Sequence, residues 1–337
     1  LLDPEEESHG RRVVKNKGEV FRMLKRVIGN MALGCLSLIP KNVATKFLSL
    51  VRSRPEITDR WGYHIRPIHY YEPVPDFREM TPERLGRRRF SPAIDFAIEH
   101  QKQLAGRLAQ AFGDEIAKLA AEPEPIGFDF RNQWFSDLDA SIYYSLIRDL
   151  RPKRVVEIGA GFSSRIADKA LSRNRSEGHP GELTCIEPYP SPRLTEAKLK
   201  FRLVETRVED LDIDFFSCLE SGDILLIDSS HVVKFGSDVC REFLEILPRL
   251  KAGVWVHVHD IFIPYEYPTD WLVNHRLCFN EQYLLEAFLE YNNAFSVQLA
   301  NHWLRRENLD LVSKLIPRKN LEMNDQVIGS FWMRKDA

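Results

Sequence analysis

A chain of 337 residues is long enough for a full α/β domain with about 100 residues to spare. Its 44% hydrophobic and 28% charged content exclude wholesale disorder, and a net charge of −2 excludes general affinity for nucleic acid. The five cysteines (Cys35, Cys185, Cys218, Cys240, Cys278) form no CxxC pair and no zinc spacing, which points to a reducing, cytoplasmic setting.

Residues 1–9 are acidic, and residues 10–54 then carry eleven Lys/Arg against one acid, Glu19. Apolar residues recur at helical spacing at Val20, Phe21, Leu24, Val27, Ile28 and Met31, and again at Val43, Phe47, Leu48 and Val51. Pro40 separates these two expected helices. Two readings stay open for the segment. One is a basic amphipathic hairpin making peripheral contact with an anionic membrane. The other is a helical arm packed on the following domain or on a second copy in a homodimer. Residues 31–39 are too short and interrupted a run to span a bilayer, and no small-residue cleavage site follows them.

Residues 61–77, WGYHIRPIHYYEPVPDF, read as an ordered aromatic and proline-rich loop. An amphipathic helix is expected over 91–119, with Ile94, Ala97, Ile98, Ala105, Leu108, Phe112 and Ile116 on its apolar side. Glu122-Pro123-Glu124-Pro125 breaks the chain. That break sets the expected boundary between a helical N-terminal arm, lid or oligomerisation segment (1–125) and a ligand-binding domain (126–337).

A helix from Asp137 then leads into strands at 155–158, 183–187, 201–205, 223–228, 253–259, 295–299 and 327–333, with helices near 192–199, 232–250 and 276–291 between them. This alternation predicts an α/β fold with a doubly wound, mostly parallel, Rossmann-like sheet of seven strands. The last two strands would form an antiparallel edge pair.

The first of these strands ends in Glu157-Ile158-Gly159-Ala160-Gly161-Phe162-Ser163-Ser164. Glycines let the backbone turn sharply and let a ligand approach, and Ser163 and Ser164 open a helix whose N-terminus offers donors. A dinucleotide fingerprint would have glycine where Ser164 stands. Glu157 suits a cationic ligand better than a pyrophosphate. Glu187 ends the second strand, where a carboxylate accepts ribose hydroxyls of a bound nucleoside. Asp210, after the third strand, is a weaker candidate for the adenine amino group.

Two further strand ends collect polar groups. Asp228-Ser229-Ser230-His231 closes one, and His259-Asp260 closes the next, with His257 deeper on the same face as His259. Placed at the start of a helix, His231 would be kept neutral by the dipole and free to act as a base. Asp228, His259 and Asp260 also form a donor set for Mg²⁺, Mn²⁺ or Fe²⁺. The metal-free reading, with His231 and then His259 as general base, is preferred because carboxylate-rich magnesium sites seldom contain histidine.

LLIDSSHVVKFGSDV, VHVHDIFIPYEYPTDW and NEQYLLEAFL, with VVEIGAGFSS and CIEPYP before them in the same order, resemble the methyltransferase domain 24 family of class I S-adenosyl-L-methionine (SAM) enzymes. The resemblance runs over about residues 132–301 and leaves the basic arm outside. It implies SAM as cosubstrate, held by Glu157, Gly159, Ala160, Gly161, Ser163, Ser164, Glu187, Asp210, Asp228 and Ser229. His231, His259 and Asp260 would act on a small-molecule acceptor, with O-methylation as the expected reaction. S-methylation of a thiol or thioether, which needs no base, an NAD(P)-dependent oxidoreductase and a non-catalytic docking adaptor are the alternatives.

Overall fold

The computed structural model describes residue 34 and residues 38–85, 91–121, 128–130, 132–135, 137–195, 199–317 and 327–337. The chain divides into two compact units, residues 1–76 and 77–337. In the first, helix α1 (Lys41–Arg52) follows Pro40, and a short helix (Pro55–Arg60) follows it. No residue of α1 is buried. The helix expected through 20–31 lies outside the described residues.

In the second unit, helix α2 (Ile98–Ala121) begins later than the periodicity suggested. Ala97 takes φ +48°, outside the right-handed helical region, and its N–H is held by Asp95 Oδ1 at 3.0 Å. Leu104, Ala105, Leu108 and Ile116 of α2 belong to the same core as the sheet. Ala300 N also donates to Gln101 Oε1 at 2.8 Å. The boundary between units therefore falls after Asp76 and not at residue 125, because α2 buries its apolar face against the sheet. The Glu-Pro run at 122–125 lies outside the described residues.

Helix α3 (Asp137–Leu150) leads into β1 (Arg154–Ile158), and α4 (Phe162–Ser176) returns to β2 (Glu182–Ile186). The remaining strands are β3 (Arg202–Val204), β4 (Ile224–Ile227), β5 (Trp255–Val258), β6 (Phe295–Ala300) and β7 (Phe331–Lys335). They form one seven-stranded sheet in the order β3-β2-β1-β4-β5-β7-β6. Strands β1 to β5 pair in parallel, and β7 inserts antiparallel between β5 and β6. Helices cover both faces of the parallel part, so β4 and β5 are buried along their whole length and read as apolar runs. Each fully buried aliphatic side chain in such a run contributes about 1.5–3 kcal/mol.

The strand order reverses between β1 and β4, and a crevice opens at the carboxyl ends of the strands on either side. The helix expected over 232–250 starts only at Asp238–Arg241, passes through a π turn (Glu242–Ile246) and ends at Leu247–Arg249. Gly236, at φ +65°, and Ser237, whose hydroxyl accepts from Cys240 N, hold the preceding residues in a loop. Two helices complete the elements used below, α5 (Glu281–Leu289) and α6 (Asn301–Glu307).

Candidate active site at the switch point of the sheet

The turn after β1 has two glycines with different duties. Gly159 takes φ +87°, and a Cβ there would lie 2.0 Å from the Asp228 carbonyl oxygen. Only glycine lets β1 turn this close to the end of β4. Gly161 is extended, and a Cβ there would meet nothing within 4 Å, so it leaves space rather than relieving a clash. That space belongs to a cavity of about 710 Å³, within the usual range for a small-ligand site. Gly159, Ala160, Gly161 and Ser163 line it, together with Glu187 after β2 and Asp228 after β4. Trp134 and Phe162 also line it and stack with ring centroids 5.4 Å apart and planes 6° apart. Glu187 is anchored by Tyr189 N at 2.8 Å and Ala160 N at 3.3 Å.

Four expected ligand contacts, Glu157, Ser164, Asp210 and Ser229, fall elsewhere. Glu157 is fully buried and accepts from Tyr143 Oη at 2.8 Å and Ser164 Oγ at 2.5 Å. Burial pushes its carboxyl up to about 7, and the Ser164, Tyr143 and Cys185 donors restrain the rise. Glu157 thus supports the turn from below, through Ser164, whose Oγ also accepts from Gly161 N at 3.1 Å. Asp210 is exposed and pairs with Arg207 Nε at 3.1 Å, outside the cavity lining. Ser229 donates to Glu242 Oε2 at 3.1 Å and does not line the cavity either.

Asp228, His231, His259 and Asp260 do come together. His231 Nε2 lies 3.3 Å from Asp228 Oδ1 and 3.5 Å from Asp260 Oδ2. His259 Nδ1 lies 3.4 Å from Asp228 Oδ1 and 3.5 Å from Asp260 Oδ1. His231 and Asp260 both sit at left-handed backbone angles, φ +58° and +56°, which non-glycine residues adopt at a cost and which cluster at functional sites. His257, in contrast, is a core residue, fully buried with its Nε2 2.7 Å from Ser330 Oγ.

Two further carboxylates complete the cluster, Glu281 from within the NEQYLLEAFL motif and Asp139 from outside every motif. Glu281, opening α5, lies 2.9 Å from His231 Nδ1. Asp139, in the first turn of α3, lies 3.8 Å from His259 Nε2 and accepts from Gly329 N, Ser330 N and Asn301 Nδ2 at 2.8–3.1 Å. The sequence carried no signal that set Asp139 apart: Asp137 stands in the same buried first turn, and Ser141, Ser145 and Arg148 are buried further along the helix.

These neighbours decide the protonation states. Burial alone would lower the His231 value, but Asp228, Glu281 and Asp260 outweigh it and raise it well above the usual imidazole range. Burial is likewise outweighed at His259, by Asp228, Asp260 and Asp139. Burial would raise Asp228, yet His259 and His231 hold it well below the usual carboxylate range. Asp260 goes the other way, because burial exceeds the pull of the same two imidazoles. The expectation of a neutral His231 at a helix N-terminus is therefore corrected. The helix starts at Asp238, and carboxylates at both ring nitrogens favour imidazolium. Among the described residues no group of three or more His, Cys, Asp or Glu is arranged to hold a metal ion.

Residues 156–261 match the model of a family described as a methyltransferase domain. An uncharacterized protein of Archaeoglobus fulgidus is 32% identical over 201 residues, covering 56% of this chain and 89% of that protein. Among solved structures, the plantazolicin methyltransferase BpumL in complex with SAH aligns at a TM-score of 0.40 and 14% identity, over 72% of this chain and 98% of that one. The O-methyltransferase TomG from Streptomyces achromogenes, in complex with SAM, aligns at 0.35 and 16%, over 70% and 90%.

Proposed function

We propose that the chain, whose residues 156–261 match a methyltransferase domain family, takes SAM as cosubstrate and methylates a hydroxyl of a small-molecule acceptor. Asp228 carries the reading: it lines the cavity beside the glycine turn and touches both imidazoles of the cluster. Donor site and proton-handling site thus meet at one side chain.

The cavity fits SAM. It holds a carboxylate for the ribose (Glu187), a helix N-terminus and glycine turn for the amino-acid end, and an aromatic wall, Trp134 on Phe162. When bound, SAM supplies a methyl group on a sulfonium. The chain has to align the acceptor and hold its proton. Asp260 is the group suited to that proton, since its value is raised above that of an ordinary aspartate while His231 and His259 still favour its ionised form. The two imidazolium charges stabilise negative charge on the acceptor oxygen. The base role first expected of His231 passes to Asp260.

Incubation with methyl-labelled SAM and hydroxyl-, thiol- and amine-bearing metabolite fractions tests this. Label is expected on oxygen; label confined to sulfur or nitrogen would overturn it. Glu187→Ala is expected to weaken SAM binding by about 10–100-fold, or roughly 1–3 kcal/mol, in isothermal titration. Parent-like affinity would mean that Glu187 only ties the turn to β2 through Ala160 N.

A further inference from the structure

None of the residues assigned to this chemistry lies in the basic segment, yet α1 has a clear chemical design. On a helical projection of KNVATKFLSLVR, Val43, Ala44, Phe47, Leu48, Leu50 and Val51 fill one continuous arc. Lys41, Asn42, Thr45, Lys46, Ser49 and Arg52 fill the other, so the polar face has three cations and no acid. No residue of the helix is buried, and Phe47 and Leu50 are 63% and 64% exposed. A helix of this length is marginal alone in water, and most helical stability comes from covering an apolar face. The face needs an apolar partner.

Charge identifies it. Residues 10–54 hold eleven Lys/Arg against one acid, although the chain as a whole is at −2. Past the helix, Glu56 pairs with Arg54 and Asp59 with His64, so the nearest acids are already engaged. The same unit exposes Trp61, Tyr63, Tyr70 and Tyr71, at 63%, 70%, 81% and 80%. These are the residue types that sit at the headgroup level of bilayers. A second protein surface would be expected to meet the cations with fixed, spaced carboxylates; a sheet of anionic headgroups over acyl chains meets both faces of α1 at once.

We infer that α1 is a membrane-surface helix. It lies in the interface of an anionic bilayer with Phe47 and Leu50 turned to the acyl chains and Lys41, Lys46 and Arg52 at the headgroups. It does not cross: among the described residues no helix is long and apolar enough to do so.

The test is co-sedimentation of the intact chain with vesicles of phosphatidylcholine alone or mixed with phosphatidylserine. Binding to the mixed vesicles only, weakened by high salt, is expected. Lys41→Glu/Lys46→Glu/Arg52→Glu should cut partitioning by more than about 100-fold, since each cation near an anionic surface contributes about a fivefold factor. Phe47→Ser/Leu50→Ser should cut it by about tenfold or more, with SAM affinity and melting temperature unchanged in both variants. An intact chain that stays in the supernatant with both vesicle types overturns the inference, as does sedimentation that neither variant reduces. A dimer in sedimentation velocity that Phe47→Ser/Leu50→Ser turns into a monomer, without vesicle binding by the parent, would assign the face to a second copy instead.

Discussion

Asp260→Asn should lower the single-turnover methylation rate by about 10²–10⁴-fold while SAM affinity stays near that of the parent. The substitution keeps the shape of the side chain and removes its ability to take a proton. It also removes a charge 3.5 Å from each imidazole. The pH dependence fixes the sign. The working form has Asp260 ionised and His231 and His259 protonated. The rate should therefore rise as pH climbs through the raised Asp260 value, then fall as pH climbs through the raised histidine values. Asp260→Asn should erase the acid limb, and His231→Gln should move the alkaline one. A parent profile without an acid limb, together with an Asn variant at full rate, would send the proton elsewhere. Turnover lost to EDTA and restored by Mg²⁺ or Mn²⁺ would give Asp228, His259 and Asp260 a different role, around an ion.

Among the described glycines, Gly159→Ala should be the most damaging change to alanine. Alanine at φ +87° is strained by about 1–2 kcal/mol before any contact is considered. Its Cβ would also stand 2.0 Å from the Asp228 carbonyl oxygen, inside any allowed separation. Relief requires β1 and β4 to part at their ends, where Asp228 N donates to the Ile158 carbonyl at 2.9 Å. A loss above about 4 kcal/mol is expected, a large part of the 5–15 kcal/mol that holds a typical domain folded. Thermal melting should show a fall of about 10 °C or more, with SAM binding lost. Gly161→Ala is the control: it should melt like the parent and bind SAM less well, because its Cβ enters open cavity. Equal melting temperatures for the two variants would show that the Gly159 turn relaxes freely.

The sheet was legible because strands buried on both faces are continuous apolar runs, and because four of them end in Gly-x-Gly, Glu187, Asp228 and His259-Asp260. The site was legible only as far as strand ends carry it. Glu157 was misplaced because spacing does not say which face of β1 a side chain takes; the structure turns it to Tyr143 and Ser164, under the turn. His231 was misread because Gly236 and Ser237 consume a loop that helical periodicity could not show. Asp139 escaped for a different reason. It meets His259 from a segment 120 residues away, in a helical first turn that also holds Asp137, and spacing does not say which of the two reaches the cluster.

The position of β7 has a consequence for how the molecule assembles. The sheet cannot be built in chain order: β6 pairs only with β7, so it has no place beside β5 until the later strand arrives between them. The same arrival delivers the amides of Gly329 and Ser330 to Asp139, the carboxylate beside His259. A nascent chain still lacking residues from 327 onward could form the glycine turn and the cavity beside it. Its Asp139 would lack two of its N–H donors, and His259 its full support. Competence for chemistry would therefore come after competence for holding SAM, because it alone waits on a pairing of high sequence separation, the slow kind.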